Sequence, residues 1–212
     1  IAHAQAWPVK PVRIMVGYTP GGGVDTTARI VAAALTEHWG TQVIVENRPG
    51  AAGNIATEIT AKAAPDGNTL VLCNIGSHSI TPARFKARLT YDPIGDFAFP
   101  AMIGGVPNVF MVHPSMPAKD LREFIAVAKA HPGKVNFGHA GVGSGTHLNT
   151  VKLLTATGVD VVQVPFKGTP EVVAAILGGA VDCYWVPISA GVANIRAGKL
   201  RALAGSTGQR NP

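Results

Sequence analysis

Apolar residues along this chain follow two alternating rhythms. Short β-branched-rich runs bounded by Gly, Pro or Asn predict strands at Val12–Gly17, Gln42–Glu46, Thr69–Cys73, Val109–Val112, Val135–Gly138, Val161–Val164, Val181–Val186 and Arg201–Ala204. Between them, apolar residues at helical spacing predict helices at Thr26–Trp39, Ile55–Ala63, Ala118–Lys129, Thr146–Thr155, Pro170–Leu177 and Ala190–Ala197. The first helix is expected to bury Ile30, Val31, Ala34, Leu35 and His38. Strands alternating with helices imply βαβ units, hence an α/β fold of mainly parallel sheets flanked by helices. The strands are continuously apolar, as they must be when both faces of a sheet are covered. Two halves are expected, residues 5–103 and 104–212, joined by the short Gly104-Gly105-Val106-Pro107 connector, which suits a hinge between two lobes. The stretch from Gly205 to Pro212 stops in a loop with no closing helix, which reads as a truncation.

In parallel α/β sheets ligands bind beyond the carboxyl ends of the strands. Four loops occupy such places: Tyr18–Asp25, Asn74–Ser79, His139–His147 and Pro165–Thr169. The first joins a strand to a helix through Gly21, Gly22 and Gly23, a turn that aims backbone N–H groups at one point near a positive helix dipole. Such a turn is a ready anion site. The third, HAGVGSGTH, offers N–H groups from Gly143 to Thr146 and the hydroxyls of Ser144 and Thr146. It lacks the lysine of a phosphate-binding loop and the register of a dinucleotide fingerprint, since its glycines fall at 141, 143 and 145. Ser144 would be a nucleophile only with a base beside it; His147 is near in sequence, but the usual nucleophile elbow and its later partners are missing. Plain helix capping by Asp25, Thr26 and Ser144 uses the same orphan donors and is compatible with ligand binding. Asp182 sits in an otherwise apolar strand and is either a hinge or pocket acceptor or the polar end of that strand.

Composition narrows the function. Of 212 residues, 47% are hydrophobic and 14% charged, which excludes a disordered chain. No apolar run is long enough to span a membrane as a helix. The net charge of +6 is spread over single basic residues with few aromatics among them, which argues against nucleic acid. The histidines show no metal-ligand spacing, and no cofactor is implied. Cys73 and Cys183 lie far apart in apolar runs and read as two small hydrophobes rather than a disulfide. Ala2-His3-Ala4 followed by Gln5 has the form of a signal-peptide end, with cleavage expected after Ala4.

Seven stretches, in order and spacing, resemble one family: YTPGGGVDTTAR (18–29), VIVENRPGAAGNIA (43–56), APDGNTLVL (64–72), VHPSMPAKDLREFIAVAK (112–129), HAGVGSGTHL (139–148), VPFKGTPE (164–171) and GKLRALAGST (198–207). The family is the periplasmic solute-binding proteins of tripartite tricarboxylate transporters, the Bug proteins. The resemblance implies a two-lobed Venus-flytrap fold, export to the periplasm, and a permease partner with a large and a small membrane subunit. It implies a small organic carboxylate as ligand, a di- or tricarboxylate, an acidic amino acid or an aromatic acid, gripped by the loops matching Tyr18–Asp25 and Gly141–His147 through backbone N–H groups, hydroxyls and bridging waters. The chain departs from the family pattern at His139, where Ser is usual, at Val151, where an acid is usual, and at Asn68, where an aromatic is usual. His139 is expected to change the pocket rim. Family members also continue beyond the position of Pro212.

The reading is therefore a monomeric capture protein that is not an enzyme. Tyr18, Gly21, Gly22, Gly23, Asp25, His139, Gly143, Ser144, Thr146 and His147 are its candidate ligand residues, and closure adds Ser77, Thr169 and Asp182. The rivals are a receptor that presents its closed form to a sensor kinase and a serine hydrolase built on Ser144.

Overall fold

The computed structural model describes residues 7–85 and 89–208. The expected cleavage point after Ala4 and the last four residues of the chain lie outside them. Two separate sheets form. The first holds β1 (Val12–Val16), β2 (Val43–Asn47) and β3 (Thr69–Val71) in the order β2-β1-β3, all parallel. The second holds β4 (Asn108–Val112), β5 (Asn136–His139), β6 (Val162–Pro165), β7 (Cys183–Pro187) and β8 (Arg201–Gly205) in the order β6-β5-β7-β4-β8. Here β5 is parallel to β6 and β7, while β4 runs antiparallel to both β7 and β8. The direction of β4 follows from where the chain enters. Asn108 pairs with Pro187, so the connector from the first sheet arrives at the edge where β7 ends. Ser206, just past β8, bonds back to Asn108 at that same edge.

Seven α-helices are described: α1 (Gly23–Trp39), α2 (Asn54–Ala61), α3 (Thr81–Phe85), α4 (Leu121–Ala130), α5 (Gly145–Thr157), α6 (Thr169–Leu177) and α7 (Ile188–Arg196). A 3₁₀ turn at Ala51–Gly53 opens α2, and a π turn at Gly76–Ile80 runs into α3. Neither turn, nor α3, follows from hydrophobic periodicity. They begin in glycine- and asparagine-rich stretches whose form is set by close backbone approach. A Cβ on Gly17 would stand 2.3 Å from Gly53 Cα, so the end of β1 and the start of α2 touch through bare backbone. Among the described residues, no helix is long and apolar enough to cross a membrane.

The second sheet is covered on both faces, and strand alternation assigns the layers. Phe110, Val112, Phe137, Cys183 and Trp185 face Phe124 and Ala128 of α4, with Leu153 and Leu154 of α5 beside them. Val109, Met111, Tyr184 and Val186 face Val172 and Ile176 of α6 on the other side. In the first sheet Val12, Ile14, Val16 and Val43 pack on Ala28 and Ala32 of α1, joined by Val31, Leu35 and Trp39. The expected face of α1 is thus partly wrong. Ile30 is 67% exposed, and Ala34 and His38 are exposed as well. Two alanines on the buried stripe let the helix approach β1 closely, and this contact, rather than the largest apolar side chains, sets its rotation.

Gly17→Ala should shift the strand or the α2 turn and cost about 1–3 kcal/mol. Urea unfolding checks this; an unchanged midpoint would show that the Gly17–Gly53 approach is not tight.

Candidate functional site

The carboxyl ends of β1, β2 and β3 face those of β5, β6 and β7, and the loops beyond them meet. After β1 the chain turns through Tyr18–Gly22 into α1. Gly22 caps α1 without a side-chain hydrogen bond, so the helix start presents bare backbone. Asp25 shapes this loop. Its carboxylate accepts from Gly21 N at 2.9 Å, Arg29 Nε at 2.9 Å and Asn47 Nδ2 at 2.9 Å. Burial works against its ionisation, but the bonds from Arg29, Gly21 and Asn47 outweigh it and hold the carboxyl below its ordinary range. The same Asn47 amide also donates to Tyr18 O. Two expectations change accordingly. The Gly21 N–H is already bound to Asp25, and Asp25 positions the loop with both oxygens engaged.

Tyr18 is buried. Its hydroxyl donates to Ala52 O at 3.0 Å and lies 3.5 Å from Asn74 Oδ1, and burial pushes its pKa up to about 12. Ala51 and Ala52 both hold positive φ, 48° and 55°, a conformation uncommon outside glycine. Ser77, also buried, bonds through Oγ to His78 Nδ1 at 2.9 Å.

From the second sheet comes the loop of residues 140–144. Ser144 caps α5, its Oγ accepting from His147 N at 3.2 Å and pairing with Thr146 Oγ1 at 3.0 Å. Thr146 Oγ1 accepts from Ala140 N, so the two hydroxyls brace the loop from within. Gly143 N donates to His147 Nδ1 at 3.3 Å, which leaves that ring's proton on Nε2. The hydrogen bonds of Ser144 run to no base, so the geometry for a serine nucleophile is not assembled.

His139 is not at the rim. It is 1% exposed, on the sheet face that carries Phe137, with its ring 4.7 Å from that of His147. Among the described residues its Nδ1 has no hydrogen-bond partner. Burial, with His147 adding to it and the Gly141 carbonyl opposing, lowers its pKa to about 4. Burial and then Arg84 lower that of His147.

At the start of α6, Thr169 Oγ1 lies 2.9 Å from the hydroxyl of Tyr184, which is fully buried and also meets Thr146. Tyr184 was hidden in an apolar strand. Strand alternation gives its face, but only the packing shows that its hydroxyl joins Thr146 and Thr169 into one polar floor. Asp182 is a plain correction. Its carboxylate accepts from Asn136 N at 2.7 Å, at the amino ends of β5 and β7, away from the loops. It is the polar end of its strand. Cys183 is buried and Cys73, just past β3, is half-buried; neither is in a disulfide. Among the described residues no cluster of three or more His, Cys, Asp or Glu is placed to hold a metal ion.

Glycines bring the two sets of loops into contact. A Cβ on Gly76 would stand 2.9 Å from Ala52 O and 3.1 Å from Gly143 O, and one on Gly145 would stand 3.2 Å from Ile75. On the other flank a Cβ on Gly23 would meet Pro187 at 2.8 Å.

Two α/β lobes with strand carboxyl ends and helix starts facing each other define the architecture of a bilobal solute-binding protein. The model of the tripartite tricarboxylate transporter family receptor matches residues 27–212, and the chain belongs to that family, one of receptors and not of enzymes. Protein BugT of Bordetella pertussis is 36% identical over 201 residues, covering 95% of this chain and 62% of its own length. A Rhodopseudomonas palustris protein solved with adipate is 34% identical with a TM-score of 0.93, covering 97% of this chain and 68% of its own. MatC from the same organism, solved with bound malate, is 34% identical with a TM-score of 0.91, covering 97% and 70%. Solved relatives include a periplasmic transporter and the periplasmic binding protein BugD. The chain spans about 62% of the length of the curated relatives it matches.

The neutral, buried His139 makes stability pH-dependent. An unfolded histidine titrates near 6.5, so between there and about 4 the unfolded chain binds more protons. Stability should therefore fall as pH drops through that window, and His139→Gln should flatten the fall. Urea midpoints from pH 7 to pH 4 check this; identical slopes in both proteins would contradict it.

Proposed function

We infer that this protein is a periplasmic receptor that captures a small organic carboxylate, of the dicarboxylate class seen with its relatives, between its two lobes and hands it to a tripartite tricarboxylate transporter permease. The observation that carries the reading is the α1 start. Its cap lacks a side-chain bond, its loop is locked by Asp25, and it abuts Thr169, Pro170 and Pro187 of the other lobe, while a second loop braced by Ser144 and Thr146 meets the first lobe at Ala52 and Ile75. A carboxylate in that gap would meet neutral donors, the N–H groups near Gly22 and Gly23 from one lobe and those near Gly145 and Thr146 from the other. The hydroxyls of Thr146, Thr169 and Tyr184 line the floor beneath. Relatives solved with adipate and malate support acids with two carboxylates.

The lobes are residues 5–103 and 104–212, with the hinge at Gly104–Pro107 beside Ser206. Both strands of chain at this edge join the sheet next to the cleft, so rotation there would open the loops without disturbing either core. Export would use a leader removed after Ala4. Contacts from both lobes exist together only in the closed form, so ligand shifts the population toward closure.

A thermal-shift panel of adipate, malate and related acids, with the matching amides as controls, tests the ligand class. An acid at 100 times its dissociation constant adds about 2.7 kcal/mol, and its amide should add little. Equal shifts for acid and amide, or none for any acid, would contradict carboxylate capture. Ser144→Ala should lose about 1 kcal/mol of stability through its cap and weaken acid binding roughly tenfold. Calorimetry showing unchanged affinity would remove Ser144 from the site.

A further inference from the structure

We propose that Thr19 and Glu171 form a latch across the cleft that holds the lobes together without ligand and thereby sets the affinity for it. The proposal rests on the two-lobed receptor reading above. Thr19 lies in the β1–α1 loop and Glu171 in the first turn of α6, 152 residues apart in sequence. The Thr19 hydroxyl donates to Glu171 Oε2 at 3.0 Å, a bond that joins the two sheets' loops directly.

The bond has room only because residue 168 has no side chain. A Cβ on Gly168 would fall 2.0 Å from Thr19 Oγ1 and 3.2 Å from Glu171 Oε2. The backbone of Gly168 is extended, with φ −173°, so conformation does not require glycine there; space does. Adjacent approaches continue the seam. A Cβ on Gly21 would stand 3.6 Å from Pro170 Cγ, and one on Gly22 3.8 Å from Thr169 Cβ. Glu171 sits at the start of α6, where the helix dipole favours a negative charge, so its carboxylate is a well-placed acceptor. Neighbouring Thr169 reaches the other way, to Tyr184, so one helical turn ties the first lobe's loop to the polar floor of the cleft.

Thr19 and Glu171 are positioning residues, since each acts through the other and not on ligand. Their bond exists only when the lobes meet. It raises the closed fraction of empty protein, and apparent affinity scales with that fraction. Losing the bond should open the resting protein and weaken ligand binding about fivefold, chiefly through faster release.

The test uses the full-length protein with Cys73→Ser and spin labels on Glu37→Cys and Lys199→Cys, exposed positions of opposite lobes. Interlobe distances are measured by pulsed electron resonance, empty and with saturating malate or adipate, in Thr19→Val, Glu171→Ala, their double variant, Thr19→Ser and Glu171→Gln. The expected result is a shift of the empty protein to longer distances in the first two variants. The double variant should be no wider than either, and Ser and Gln should restore the resting distance because each keeps the bond. Thermal midpoints of all variants report folding separately. An empty-state distance unchanged in Thr19→Val and Glu171→Ala would overturn the latch. So would a rise in distance that the double variant doubles, because the two residues would then act independently. If the distances shift as expected but neither acid closes any variant, the latch stands and the ligand class proposed above falls.

Discussion

The carboxylate of Asp25 is the fixed point on which the cleft depends. It is 2% exposed and accepts three hydrogen bonds, from the loop at Gly21, from its own helix at Arg29 and from the next strand at Asn47. A buried carboxylate is stable only when so satisfied. Once satisfied, it ties the end of β1, the start of α1 and the end of β2 into one rigid corner. The tie determines which backbone groups remain available. Gly21 is drawn inward, and the start of α1 beyond it is left without a side-chain cap, facing the other lobe.

The facing lobe solves a matching problem with different chemistry. Ser144 caps α5 and leans on Thr146, which in turn holds the backbone of Ala140. Hydroxyls brace the second corner, and the carboxylate of Asp25 is engaged in shaping the first. A carboxylate gripped by neutral donors meets directed hydrogen bonds rather than a strong counter-charge. Under the proposed function, such an arrangement would admit bridging waters and hence acids of several lengths. The glycines between the lobes serve the same end, because only bare backbone lets two polar loops come this close.

Much of this was legible in the sequence. Eight short apolar runs became eight strands, and six periodic stretches became six helices, with boundaries off by a few residues. The glycine loop meets the other lobe at the starts of α6 and α7, and the Gly141–His147 loop meets the first lobe at Ala52 and Ile75. Four things were not legible, each for a physical reason. Hydrogen-bond bookkeeping decides whether an N–H is free, and residues distant in sequence take part, as Asn47 does with Asp25. Strand direction decides which end of a strand an acid sits at, and Asp182 proved to be at the amino end. Side-chain depth decides what a histidine does; His139 follows an apolar strand into the interior instead of lining the rim. The 3₁₀ and π turns at Ala51–Gly53 and Gly76–Ile80 escaped because glycine approach, not apolar spacing, sets them.

Neutral backbone donors at the starts of α1 and α5 are proposed to hold the acid's carboxylate. The most direct measurement is an amide-resolved nuclear magnetic resonance titration of the full-length protein with malate. Large downfield proton shifts are expected for Gly22, Gly23, Gly145 and Thr146, saturating together, while Gly21, bound to Asp25, moves little. Saturable malate binding that leaves those four amides unmoved and shifts others would contradict it.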